Sequence, residues 1–284
     1  MRWPERPARR RRQARTRMQG AHSPRGGRTR RRTVSSFALL RSLVIYHLRP
    51  GKRARLRHHY APFVPPGGLA MDIGAHVGSR TRAFVSLGSR VVAVEPQPEL
   101  AVLLRRFFRR EDQVTVEDCA LGADEGEIDL YGTPGNLTVT TTSADWAARA
   151  PGLPGWERVS FAPTGRVRQS TLDALIERYG RPDFIKIDVE GSEDTVLAGL
   201  SKPVPALSYE FLPADRDVAY HATVRLEHLA REHGGSWEYN FSLGEELRLV
   251  MPGRWWNATE LQAYLSEIPD DGPSGDIYAR YAPA

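Results

Sequence analysis

Residues 69–78 read Leu69-Ala-Met-Asp-Ile-Gly-Ala-His-Val-Gly78. A short apolar run reaches Asp72, Gly74 and Gly78 leave room for a sharp backbone turn, and a helix is expected to open near Gly78. Further on, Val91-Val-Ala-Val94 forms a second apolar run that ends on Glu95. An acidic residue at the tip of the second strand of an α/β unit is placed to accept both hydroxyls of a ribose. The two stretches together predict a strand–turn–helix–strand unit with a nucleoside-binding rim.

The spacing narrows the choice of cofactor. A dinucleotide fingerprint, G-x-G-x-x-G, holds a pyrophosphate with its glycines and a helix N-terminus. Here the pattern is Asp72-x-Gly74-x-x-x-Gly78, and a carboxylate at that position repels a pyrophosphate. It suits a cationic amino-acid group, so the expected cofactor is the methyl donor S-adenosyl-L-methionine. A nicotinamide enzyme is the weakest alternative. An ordinary capped strand–turn–helix would carry the glycines alone, and Glu95 is what favours the ligand reading.

Downstream the rhythm continues. A helix is expected over 97–109, where Leu100, Leu103, Leu104 and Phe107 recur at helical spacing. A strand over 114–118 then runs into Asp118-Cys119-Ala120. Alternating strand and helix imply a parallel sheet with right-handed crossovers, and ligands of such sheets sit beyond the carboxyl ends of the strands. Asp72, Glu95 and Asp118 are therefore expected on one rim, with Asp118 accepting from an adenine amine.

A second signature is Asp183-Phe-Ile-Lys-Ile-Asp-Val-Glu-Gly191. A helix over 170–179, stopped by Gly180, precedes a buried strand at 183–189. Alternation would set Lys186, Asp188 and Glu190 on one face if the extended geometry persisted. Three charged groups on an apolar strand point to an active-site cluster with perturbed ionisation, against the alternative of a structural Lys–Asp pair. Beyond it a helix is expected at 192–200 and a strand at 205–211, ending near Glu210. A helix at 215–233, strands at 236–241 and 246–250 and a helix at 258–268 complete the reading. His221, His228 and His233 fit no metal spacing. No P-loop, H-E-x-x-H or G-x-S-x-G is present, which argues against an NTPase, a zinc protease or an α/β-hydrolase.

Residues 122–169 interrupt this pattern. Gly126-Glu-Ile-Asp-Leu-Tyr131 alternates as an antiparallel strand, and a Thr-rich polar stretch and Pro151-Gly-Leu-Pro-Gly155 follow. So long an insertion is a natural place for acceptor contacts.

The chain has 284 residues, is 40% hydrophobic and carries a formal charge of +6. That length allows one large α/β domain with additions, and the composition allows a proper core. Its one cysteine, Cys119, excludes a disulfide framework and a cysteine zinc site. The charge is uneven: residues 1–32 hold 13 Arg and one Glu, leaving 27 basic against 33 acidic residues in 33–284. An acidic body with a basic tail is unlike a globally basic nucleic-acid binder. The tail is expected to be disordered, and an over-long reading frame with Met18 or Val34 as the start is the preferred account of it. It lacks the apolar core of a signal peptide, so a cytoplasmic protein is expected. Residues 34–48 read as a helix too short in apolar run to span a membrane; it packs on the domain edge, or lies on a membrane surface with help from Arg49, Lys52, Arg53, Arg55 and Arg57.

Met71-Asp-Ile-Gly-Ala-His-Val-Gly78, Val94-Glu-Pro-Gln-Pro98, Ala120-Leu-Gly122 with Gly126–Tyr131, Ser170-Thr-Leu-Asp173 and Phe184-Ile-Lys-Ile-Asp-Val-Glu-Gly191 resemble, in order and spacing, the FkbM-type methyltransferases. The likeness is strong over about residues 37–211, and its most specific part is the last run. It implies a Rossmann-like class I methyltransferase fold, an α/β architecture with a seven-stranded, mostly parallel sheet, helices on both faces and the last strand antiparallel. The implied layout is a tail at 1–32, a helical extension at 33–68 and a methyltransferase domain at 69–284. Carried over by position, Asp72, Gly74 and Gly78 would form the donor turn, Glu95 would hold the ribose and Asp118 would flank the adenine, with Ala75, Pro96 and Cys119 also cofactor-binding. Asp188 and Glu190 sit beside the sulfonium and the acceptor. The leading expectation is O-methylation of a hydroxyl on a small molecule, sugar or secondary metabolite. Asp188 or Glu190 would remove the proton, Lys186 would adjust the local charge, and His76 is a second candidate base. Nothing in the spacing demands a metal. The competing readings are a non-catalytic donor-binding scaffold and a nucleic-acid methyltransferase that uses the basic tail.

Overall fold

Seven strands form the central sheet of the computed structural model, which describes residues 51–133, 136–154, 156–244 and 246–284. The chain divides after Thr33, and all described residues belong to the unit Val34–Ala284. The expectations for residues 1–32 and for a helix at 34–48 lie outside the described residues. The first described helix, α1, is Lys52–Tyr60. The expected βαβαβ unit follows as β1 (Leu69–Ile73), α2 (Ser79–Ser86), β2 (Arg90–Val94), α3 (Pro98–Phe107) and β3 (Val114–Glu117). Pro98 at the first turn of α3 and left-handed Gly78 before α2 supply the local reasons for those helix starts.

β8 (Phe184–Ile187) pairs parallel with β1, and β9 (Ala206–Phe211) pairs parallel with β8. The sheet order is β10-β11-β9-β8-β1-β2-β3, with β10 at Gly235–Leu243 and β11 at Gly275–Pro283. Only β11 runs against its neighbours, antiparallel to both β9 and β10. The seventh strand is therefore not 246–250 but the C-terminal segment. Residues 246–250 form no strand, and α8 (Ala258–Glu267) leads into β11 rather than closing the fold. Asn257 and Glu260 cap α8 reciprocally, which fixes its start.

Alternation along the strands divides the helices between two layers. Ala70 and Val91, partners in register, pack under Leu56 and Tyr60 of α1 and Ala83 and Phe84 of α2. Ala93 packs under Leu104 of α3 and Phe108. The opposite set, Met71, Ile73, Val92 and Val94, faces α5 (Leu172–Tyr179), α6 (Glu193–Ala198), α7 (Arg216–His233) and α8.

The insertion folds as a second sheet, ordered β4-β7-β5-β6, from Ala120–Leu121, Ala162–Ser170, Gly126–Thr133 and Asn136–Thr141. A short helix, α4 (Ala144–Arg149), fastens it to the main sheet. Trp146, fully buried, lies against Gly191, where a Cβ would come within 2.8 Å of the indole ring. Thr142 donates to Ser192 at 3.2 Å, and Arg149 holds Asp215 at 3.1 Å.

Candidate active site

The turn after β1 supplies one wall of a cleft of about 1110 Å³, part of which is open to solvent. Gly74, His76 and Gly78 all have positive φ, at 79°, 49° and 78°. A side chain on Gly74 would run into the carbonyl oxygen of Asp188, so the turn and the tip of β8 meet backbone to backbone. The amides of Gly74 and Ala75 donate to the Val94 carbonyl at 3.0 and 2.9 Å, fixing the turn to β2.

Glu95 follows directly. Its carboxylate accepts from the backbone N–H of His76 at 2.8 Å and of Gln97 at 2.9 Å. Burial raises its pKa to about 7 against the pull of those two donors. The group lines the cleft with Pro96 and Gln97. Each carboxylate oxygen has lone pairs to spare, which suits a vicinal diol.

Asp72 takes a different place from the one expected. It is 1% exposed and does not line the cleft; its Oδ2 accepts from Thr81 Oγ1 of α2 at 2.5 Å. The strand's alternation turns its side chain under the helix rather than out over the turn. Its Oδ1 is buried without a partner, and burial raises its pKa. Asp118 is displaced as well. Its carboxylate is half-exposed and pairs with Arg105 at 3.0 Å, which lowers its pKa. Alternation sends Asp118 out toward α3 and Glu117 inward to Arg168, Arg178 and Tyr179. Asp118 does not line the cleft, while Cys119, Ala120 and Leu121 do. The Cys119 thiol is buried and pushed up to about 11.

Lys186, Asp188 and Glu190 cluster as expected, but not through continued extended geometry. β8 stops at Ile187, and Glu190 and Gly191 adopt left-handed φ of 58° and 86°. Such a conformation costs a non-glycine residue about 1–3 kcal/mol and is typical of functional turns. Lys186 is fully buried and donates to Asp276 Oδ1 at 2.6 Å, with Asp188 Oδ2 at 3.5 Å. Arg80 lies 3.7 Å from Asp188. Burial disfavours the Asp188 charge, yet Lys186 and Arg80 together hold its pKa below the usual range. Lys186 itself is held cationic by Asp188 and Asp276 despite burial.

Glu190 turns toward Glu210 at the end of β9. Asp188, Glu190 and Glu210 each present a carboxylate oxygen within 4.8 Å of the others, a set with the ligand chemistry for a divalent cation. Burial, and then repulsion from neighbouring carboxylates (Asp188 and Glu193 for Glu190, these and Glu190 for Glu210), pushes both glutamates well above the ordinary carboxylate range, and Glu210 Oε2 has no partner among the described residues. Glu193 steadies the loop by accepting from the amides of Val189 and Gly191 at 3.0 and 3.1 Å.

Sequence reasoning singled out neither Arg80 nor Asp276. Arg80 opens the helix after the glycine turn, a signal that was present and unused. Asp276 stands on the strand that was not foreseen. Thr140, Thr141 and Thr142 bring the insertion to the cleft.

Residues 72–236 match the family described as Methyltransferase FkbM domain. The chain belongs to the FkbM methyltransferase family. It is accordingly an S-adenosylmethionine-dependent methyltransferase, and the matched span holds Glu95, Asp188, Glu190 and Glu210 but not Asp276. No curated protein matches the chain significantly. Among solved structures it is similar to an O-methyltransferase from Bacillus cereus in complex with SAH, at 16% identity over 87% of each chain with a TM-score of 0.44. It is also similar to a TehB-like SAM-dependent methyltransferase from Corynebacterium glutamicum, at 12% identity over 85% of this chain and 94% of that one, TM-score 0.41.

The FkbM site fits its donor on its own chemistry. Glu95 offers acceptors for the ribose diol, and Gly74 and Gly78 leave the backbone open. Cys119, Ala120 and Leu121 give an apolar wall suited to a flat base.

Proposed function

We propose that this FkbM methyltransferase methylates a hydroxyl group of a small molecule, with Glu190 taking the hydroxyl proton. The observation that carries this reading is the convergence of Asp188, Glu190 and Glu210, within 4.8 Å, in the cleft that also holds Glu95. A hydroxyl acceptor needs a base as well as positioning. Asp188 is a weak candidate because Lys186 and Arg80 stabilise its charge. Among the described residues Glu190 has no ion-pair partner, and its raised proton affinity matches the task of a base. When bound, the donor supplies an electrophilic methyl group on a sulfonium and, with it, a positive charge. Glu190 ionises in that field, holds the acceptor oxygen and takes its proton, and Glu210 shares the hydrogen bond. His76 also lines the cleft, its backbone amide committed to Glu95, and serves donor binding in this reading.

Calorimetric titration with S-adenosylmethionine and S-adenosylhomocysteine, followed by a methyl-transfer screen on hydroxylated small molecules, tests it. Glu95→Ala should weaken donor binding at least tenfold. Glu190→Gln should keep donor affinity and lose about 10²–10⁴-fold in turnover. Full turnover by Glu190→Gln would remove Glu190 from the mechanism. Transfer to nitrogen acceptors alone would overturn the hydroxyl assignment.

A further inference from the structure

Charge in this chain segregates by face. Between residues 51 and 110, eleven Lys and Arg stand against three acids, Asp72, Glu95 and Glu99, and the first two of these are buried. From 111 to 284 the balance is 14 basic against 30 acidic residues. Since α1, α2 and α3 cover one face of the sheet, the mildly acidic total of the body conceals a basic layer.

That layer is presented outward and left uncompensated. α1 buries only Leu56, His59 and Tyr60, which leaves Arg53, Arg55, Arg57 and His58 exposed. On and just after α3, Arg106, Arg109 and Arg110 are exposed too. None of these six arginines pairs with an acid among the described residues, whereas Arg82 pairs with Glu111 and Arg105 with Asp118. Val102, 63% exposed, sits on the outer side of α3 beside them. Directly upstream of α1, the sequence Phe37-Ala-Leu-Leu-Arg-Ser-Leu-Val-Ile-Tyr-His-Leu48 is predominantly apolar and, like all of residues 33–60, holds no acid.

We propose that the α1–α3 face docks the protein on a membrane surface bearing anionic lipid. Unpaired arginines facing headgroups gain attraction without breaking internal ion pairs, and each basic residue near such a surface adds about 1 kcal/mol. Val102, exposed among them, adds an apolar side chain to this face, as interfacial attachment requires. The acidic remainder of the body is repelled by the same membrane, which confines contact to this face. Single-stranded nucleic acid is the less suited anion, because such sites interleave arginines with aromatic stacking platforms. Among the described residues the large exposed apolar side chain here is Val102, and the exposed Tyr220 is on α7, across the sheet.

The test is co-sedimentation of the full chain with phosphatidylcholine vesicles, plain or containing roughly a third phosphatidylglycerol. Binding to the anionic vesicles should exceed that to neutral ones by at least about tenfold and fall as salt rises. Arg53→Gln with Arg55→Gln and Arg57→Gln should lose about tenfold or more, and Arg106→Gln with Arg109→Gln should lose further. These side chains are exposed and unpaired, so an unchanged melting curve confirms that each variant is folded. Equal binding to both vesicles overturns the proposal. So does wild-type binding by the α1 variant, since attachment would then lie elsewhere in the chain. Tighter binding of a single-stranded RNA than of anionic vesicles, lost in the same variants, assigns the face to nucleic acid and overturns it as well. None of these outcomes bears on methyl transfer.

Discussion

Glu95 is held as an acceptor by two backbone donors in a place that penalises its charge. Its pKa of about 7 exceeds the ordinary value of 4.5, and Glu193 is raised to about 7 for the same reason, burial. An acid with a raised folded-state pKa contributes stability that is complete below the unfolded value and is lost as pH rises through the folded value. The ligand-free protein should therefore lose stability between about pH 4.5 and pH 7, by on the order of 3 kcal/mol from Glu95. Thermal melts across that range check this, and Glu95→Gln should flatten the slope; an unchanged slope would show that Glu95 is not the group responsible. At this scale the local pattern was enough for Glu95, because a strand followed by a tight turn leaves its last acid at the rim. The same reasoning misplaced Asp118, one residue beyond Glu117, because alternation at the strand end turns neighbouring side chains to opposite faces.

The insertion behaves as an element fastened at one place. Trp146 of α4 is seated on Gly191 and stacked edge-on against Trp156 at 5.1 Å, so the second sheet is tied to the loop that carries Glu190. Trp146→Ala should cost about 3–5 kcal/mol and expose residues 132–169 to limited proteolysis before the rest of the domain opens. Mapping the first cleavage sites tests this, and first cuts at positions remote from the insertion would contradict it. The antiparallel strand at Gly126–Thr133 was readable from its alternation, but its partners at Ala162–Ser170 and Asn136–Thr141 were not. Nor was β11 at Gly275–Pro283, since a terminal strand between two distant strands has no local signal beyond its own short pattern.

Across the whole molecule, the cleft is an acidic pocket whose glutamates form no ion pair among the described residues. A cationic donor should lower the pKa of Glu190 and Glu210 on binding and so release protons. Affinity for S-adenosylmethionine should rise with pH until those groups are ionised in the free protein. S-adenosylhomocysteine lacks the sulfonium charge and should show a shallower dependence. Calorimetry in buffers of different ionisation enthalpy counts the protons released, and equal proton release for the two ligands would place the sulfonium away from this cluster. Among the described residues no helix is long and apolar enough to cross a membrane.

The sequence by itself determined the βαβαβ unit from β1 to β3, the parallel strands β8 and β9, the glycine turn, the placing of Glu95 at the rim and the family. Periodicity, capping and turn chemistry are properties of a few adjacent residues, and they survive being read without coordinates. Tertiary structure alone decided which acids meet. Lys186 finds Asp276 across 90 positions of chain, and Glu190 leaves its strand's alternation through a left-handed turn to meet Glu210. It also decided that the basic side chains of α1 and α3 share one surface, because layer membership follows from the facing of buried residues on neighbouring strands. Side-chain direction beyond a strand end and proximity between distant segments are set by the packed sheet, and no window of sequence contains them.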